Sequence, residues 1–345
     1  MQKLSALNYT GHAINALKLM KYASSRHGNS VDVKTCEWLM EEIQKAVHFV
    51  VPLDGRIFDD GLRGIKNAEI HLPFPSITIE YQSSANFVET TEARIVPSSK
   101  RFVFAKELDV KGMIDLLHKI GLPWNKFFTD IKPPYHKGVI FVASIYSNDD
   151  RKLSHVEWIP CGGAWLLPRV GWDDIGSGKM IEPLQRPALK EKTRSLCGRP
   201  VVLLSSIFEM LVTQQGPEMA LRHIGNDMGP EAGTVLELIE ALTCRNIRID
   251  TLQAIKPTVN ARRVRDGKLP LYETKILTVD ISPNRPGKPR GPLDEARILP
   301  REHLRRGHIQ MYHAKDGPVN LWKQSQMVAV GNPGLIKKSY KIKAK

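Results

Sequence analysis

Apolar residues recur at three- and four-residue steps through the first fifty positions, at Ala13, Leu17 and Met20 and again at Trp38, Leu39, Ile43, Ala46 and Val47. That period marks helices that bury one face. HGNS at 27–30 interrupts the run, Ser30 is a capping residue with Asp32 in the turn behind it, and VPLDG at 51–55 ends it, so the pattern predicts an N-terminal helical hairpin. The period then shifts towards two. AEIHLPFPSITIEYQ (68–82), the two halves of ARIVPSSKRFVFAKE (93–107), GVIFVASIYS (138–147) and HVEWIP (155–160) read as strands, with a short helix over 110–120. Trp158, Trp165 and Trp172 stand seven apart, but Pro160, Gly162, Gly163, Pro168 and Gly171 exclude a continuous helix, so these rings are expected to fill a β-rich core.

Residues 173–200, rich in Gly, Pro and charge, read as a connection, and RPVVLLSSIFEMLVTQQ and PEAGTVLELIEALTCRN behind them as packed helices. Beyond Pro257 come a basic run, a strand YETKILTVDI (272–281), a linker NRPGKPRGP (284–292) and a β-rich end. Strands and helices fall in blocks rather than in regular alternation, which predicts an α+β fold. The division expected is 1–172 as an N-terminal α+β region, 173–200 as a connecting segment, 201–256 as a helical block and 257–345 as a basic β-rich C-terminal module.

Charge sharpens this division. The 345-residue chain has a formal charge of +14, yet residues 1–250 hold 30 Lys and Arg against 29 Asp and Glu, whereas residues 251–345 hold 20 against 7. A near-neutral body with a basic final quarter is the asymmetry expected of a surface that meets a polyanion, and nucleic acid is the leading partner. The basic residues interleave with Pro, Gly and strands instead of forming an amphipathic helix, which argues against a membrane surface. A content of 42% hydrophobic residues excludes disorder as the main state, and no apolar run approaches the ~20 residues of a membrane span. With no signal-peptide core at the start, the expectation is a soluble, cytoplasmic protein. Cys36, Cys161, Cys197 and Cys244 form no C-x-x-C pair and are expected to be reduced core thiols.

Candidate chemistry concentrates in two basic segments. NARRVRDGKLPLYE (260–273) sets Arg262, Arg263, Arg265 and Lys268 before Tyr272, a grouping that suits phosphate contact beside a stacking ring, although RDGK is equally a turn and Leu269, Leu271 and Tyr272 equally core anchors. Further on, Arg301, His303, Arg305, Arg306, His308 and His313 lie within thirteen residues, followed by the hairpin turn AKDGP, the strand VNLWKQ and a final strand KSYKIK carrying Lys338 and Tyr340. Guanidinium forks there suit phosphate binding through Arg301, Arg305, Arg306 and Lys338. The same set suits metal-independent RNA cleavage, with His303 and His308 as acid and base and Tyr340 as a third catalytic group. Neighbouring positive charge and few carboxylates argue against a metal, and no cofactor motif is present: Met180 stands where a phosphate loop needs a hydroxyl residue after Lys179. An acidic surface on a host protein is the alternative partner for the same basic face.

Three pieces, LPFPSITIEY at 72–81, NARRVRDGKLPLYETKIL at 260–277 and PREHLRRGHIQMY with the distal KSYKI, resemble a group of uncharacterised bacteriophage and prophage proteins. In that group the position of Gln310 is more often basic. The resemblance implies a phage-type setting in the cytoplasm of a bacterial host and carries no activity with it.

Overall fold

The computed structural model describes residues 6–57, 71–84, 88–90, 93–95, 98–121, 139–149, 157–168, 196–279, 303–305, 308–314, 317–323 and 326–328. The elements are helices α1 (Tyr9–Arg26) and α2 (Ser30–Lys45), strands β1 (Val47–Val50) and β2 (Ser76–Gln82), a small ladder of β3 (Val88–Thr90) and β4 (Ala93–Ile95), β5 (Lys100–Leu108), α3 (Val110–Ile120), β6 (Val139–Ser147) and β7 (Trp158–Pro168). Then come β8 (Leu196–Val201), α4 (Ser205–Gln215), α5 (Pro217–Leu242), β9 (Ile247–Gln253), α6 (Pro257–Arg265), β10 (Thr274–Val279), β11 (His303–Arg305), β12 (His308–Ala314), β13 (Gly317–Lys323) and β14 (Gln326–Val328).

Eight strands form one mixed sheet in the order β8-β7-β6-β5-β2-β1-β10-β9. β1 runs parallel to both β2 and β10, and the remaining neighbours are antiparallel. The fold is α+β. Helices cover both faces, which is why the central strands are apolar on both sides: Phe102 and Phe104 of β5 meet α1, α2 and α3, while Val103 and Ala105 meet α5. Trp38 lies edge-on to Phe104 and to Phe141 in the first layer, and Trp158 is buried against Tyr9. Gly162 admits α5 to β7, since a Cβ there would stand 2.8 Å from Ile224 Cγ2.

Two helices differ from the sequence expectation. The helix predicted from Pro230 onward begins at Pro217 and carries Pro230 inside it. Ala220, Ile224, Met228 and Ala232, four apart, are all buried, so packing of one continuous stripe outweighs the N–H that proline removes. RPVVLLSSIFEMLVTQQ splits into β8 and α4. The break follows from Asp32 of α2, whose carboxylate accepts from Ser205 N at 2.7 Å and Ser206 N at 3.1 Å and so starts α4 there.

The sheet also crosses the expected divisions. β8 takes in the last residues of the 173–200 connection, β9 lies inside the expected helical block of 201–256, and β10, from the 257–345 module, pairs with β9 and β1 in the central sheet. Among the described residues, no helix is long and apolar enough to cross a membrane. Cys36 and Cys244 are buried free thiols that burial pushes up to about 12, which leaves them protonated and inert.

Where α1 meets the sheet, the interface is polar. α1 has no capping side chain of its own, and Asn8 before it is left-handed (φ 59°, ψ 33°). Glu80 of β2, 1% exposed, takes the cap: its Oε1 accepts from Thr10 N at 2.8 Å and Thr10 Oγ1 at 2.7 Å. Burial pushes the Glu80 carboxyl up, and hydrogen bonds from Thr10, Tyr9 and Asn8 pull against that rise. Beside it His48 Nδ1 shares a 2.7 Å hydrogen bond with Thr78 Oγ1, and burial pushes this imidazole down to about 4 against the pull of Glu273.

His48 is therefore neutral in the fold, while the unfolded chain takes up its proton near 6.5. The unfolded state binds more protons between those values, so His48 withdraws stability as pH falls through that window. Glu80 acts with the opposite sign: its raised carboxyl holds a proton that the unfolded chain releases near 4.5, so its contribution falls as pH rises above that value. Between pH 7 and 4.5 the wild type is expected to lose about 2–3 kcal/mol more than His48→Gln. Urea unfolding of both proteins across that range measures the difference, and parallel curves would remove His48 from the account.

Candidate nucleic-acid interface

The basic segment at 260–273 folds as α6 and an extended return. Pro257 opens the helix, where its missing N–H costs nothing, and no residue of the nine is buried. A short helix without a buried stripe needs another anchor. Polar bonds supply it: Asn260 Nδ2 donates to Leu271 O at 2.8 Å, Leu271 N donates back to Asn260 Oδ1 at 2.9 Å, and Arg263 Nε donates to Leu269 O at 2.9 Å. The expected RDGK turn is the helix end, with Asp266 N, Gly267 N and Lys268 N closing onto the carbonyls of Arg262, Val264 and Arg263 and Gly267 at φ +70°. The return then packs on the body. Leu269 and Pro270 rest on Gly11 of α1, where a Cβ would lie 3.0 Å from Pro270 O, and the Tyr272 ring sits edge-on 5.1 Å from His48. Tyr272 is half-buried and packs against the core beneath α1 and α2, so the ring serves as an anchor.

This clasp sorts the arginines. Arg263 is half-buried and holds the return, whereas Arg262 and Arg265 are both 77% exposed by side chain. Both face one carboxylate, Asp266, at 3.8 and 3.6 Å. Exposed pairs of that kind are worth at most about 1 kcal/mol and leave most of the cationic field directed outward. Lys256 and Lys268 are exposed at the two ends of the helix, and the C-terminal arginines also complement its dipole.

The later basic residues are distributed over two small ladders. His303 and Arg305 stand on β11 opposite Val328 and Gln326 of β14. His308 and His313 stand on β12 opposite Lys323 and Pro318 of β13. The two histidines expected to act as acid and base therefore occupy separate ladders. Arg301, Arg306, Lys338 and Tyr340 lie outside the described residues. The β12–β13 hairpin docks on the end of α5 through Trp322, 5% exposed against Ala241 and Cys244. Asn246 clasps it by donating to Trp322 O and accepting from Trp322 N, both at 2.8 Å, and Arg245 N donates to Asn320 O at 3.0 Å. Gln310 is exposed on β12 and accepts from the Tyr312 hydroxyl at 2.8 Å.

Among the described residues, no group of three or more His, Cys, Asp or Glu side chains is placed to hold a metal ion. Cationic charge also gathers where the sequence reading did not look: α1 carries Lys18, Lys21 and Arg26 and no carboxylate. A balance of 30 against 29 averaged over residues 1–250 hides it, and the sign pattern within the single helical period would have found it. No protein-family model, curated protein or solved structure matches the chain.

The clasp predicts how α6 moves. Asn260→Ala deletes both bonds to Leu271, and amide exchange across 258–271 is expected to accelerate roughly 5- to 30-fold while the central sheet is unchanged. Exchange measured by mass spectrometry tests this, and unchanged protection of α6 would show that other contacts hold it.

Proposed function

We propose that this chain is a nucleic-acid-binding protein that contacts phosphates through α6 and the turn behind it. The observation that carries the reading is the presentation of Arg262 and Arg265: two highly exposed guanidiniums on a helix held to the body by Asn260 and Arg263, with one carboxylate between them. A helix held by its own polar clasp presents charge at fixed backbone spacing, so no backbone has to be ordered on contact and the remaining cost is that of the two side chains. Lys268 extends the same surface. Arg305, on β11, is a further candidate contact in this reading. The resemblance of the C-terminal segments to phage and prophage proteins supports a setting in the cytoplasm of a bacterial host.

Each phosphate contact adds about 0.7–0.9 to the slope of log affinity against log salt. Arg262→Ala with Arg265→Ala is therefore expected to reduce that slope by about 1.4–1.8, while Lys111→Ala with Lys119→Ala on α3, an equal change of charge, leaves it in place. Anisotropy titrations of labelled oligonucleotides over a salt series measure the slopes. Equal slopes for the two double variants, or no binding by the wild type at low salt, would overturn the reading.

A further inference from the structure

α1 turns one uninterrupted strip outward. At 100° per residue, Gly11, Asn15, Lys18, Leu19, Tyr22 and Arg26 fall on the same side of the helix, opposite the Ala13, Ile14, Ala16 and Leu17 face that packs in the core. Every member except Gly11 is exposed, and Gly11 is covered by Leu269 and Pro270 of the α6 return. The exposed strip thus begins beside the α6 return and runs from Asn15 for about 17 Å to Arg26.

Its chemistry combines charge with an aromatic face. The Tyr22 ring is 63% exposed, Leu19 beside it is 49% exposed, and the Arg26 guanidinium carbon lies 5.9 Å from the ring centre. Lys18 and Arg26 flank the ring at four residues on either side, and the helix has no carboxylate to neutralise them. Among the described residues Lys21 is paired, with Glu37 of α2 at 2.6 Å, on the flank of the strip. A solvent-facing ring between two cations complements a nucleotide whose base face is free and whose neighbouring phosphates are within reach. A duplex keeps its base faces stacked inside, whereas a single strand offers them.

We propose that the outer strip of α1 binds single-stranded nucleic acid, with a base stacked on Tyr22 and the adjoining phosphates held by Lys18 and Arg26. The proposal rests on the reading of α6 as a phosphate-contacting helix and gives that surface its strand class. DNA and RNA share the chemistry invoked, and separate probes distinguish them.

The test uses the full chain and three labelled probes of equal length, oligo-dT, oligo-rU and a mixed-sequence DNA duplex, titrated at low salt. Tyr22→Ala is expected to weaken single-strand binding roughly 5- to 100-fold and duplex binding less than about twofold, with Tyr22→Phe within about twofold of wild type on every probe. The single-stranded probe that suffers the loss identifies the sugar, and a loss on both identifies a strand binder indifferent to it. If Tyr22→Ala leaves both single strands unchanged while Arg262→Ala with Arg265→Ala weakens them, the strip proposal falls and the α6 reading stands. An equal loss on duplex and single strand also overturns stacking. A wild type that binds none of the three probes overturns both.

Discussion

The Glu80 carboxyl group of strand β2, bonded to the start of α1, fixes how the first helix sits on the sheet. A helix that starts against a sheet faces its first N–H groups away from water, and each needs an acceptor. α1 has none within its own sequence, so strand β2 provides one, and the strand's register positions the helix. The arrangement recurs: Asp32 of α2 receives Ser205 and Ser206 of α4, Glu107 of β5 receives Leu72 N at 2.7 Å, and Glu237 of α5 receives Ile57 N at 2.7 Å. These four carboxyl groups act as long-range acceptors for backbone N–H groups at element starts and in loops.

That use of acids shapes the surface. Asp32, Glu80, Glu231 and Glu237 are buried, with Glu231 paired internally to Arg101 at 3.3 Å and to the Tyr81 hydroxyl at 3.1 Å. Carboxyl groups committed to partners in the interior do not stand beside the surface cations to pair with them. The near-balance over residues 1–250 is a balance of composition, and helices such as α1 remain one-signed at the surface.

The helical hairpin and α3 were legible because each follows a helical period, and strands β2, β5 and β6 because each is a short run of β-branched and aromatic residues, apolar on both faces at Phe102, Val103, Phe104 and Ala105 of β5. Elements decided by distant partners were not. The start of α4 depends on Asp32, more than 170 residues earlier, and the continuation of α5 through Pro230 depends on a stripe packed against β7. At the candidate site the cluster of Arg262, Arg263, Arg265 and Lys268 was visible, but its helical form was not. α6 has no apolar period to read, since two polar side chains bonded to a returning backbone hold it. Nothing local separates Arg263, which anchors, from Arg262 and Arg265, which project.

The position of β1 in the sheet sets the order in which the molecule can be completed. His48 pairs with Thr78 on one side and with Thr274 on the other, more than two hundred residues downstream. During synthesis at about 5–20 residues per second, β1 waits roughly 10–45 s for β10. Through that interval one edge of the β2–β1 pair lacks the neighbour it has in the finished sheet, and closing the long intervening loop carries an entropic cost that makes this pairing slow. The last parallel strand to arrive is thus the one that removes an aggregation-prone edge from the nascent chain.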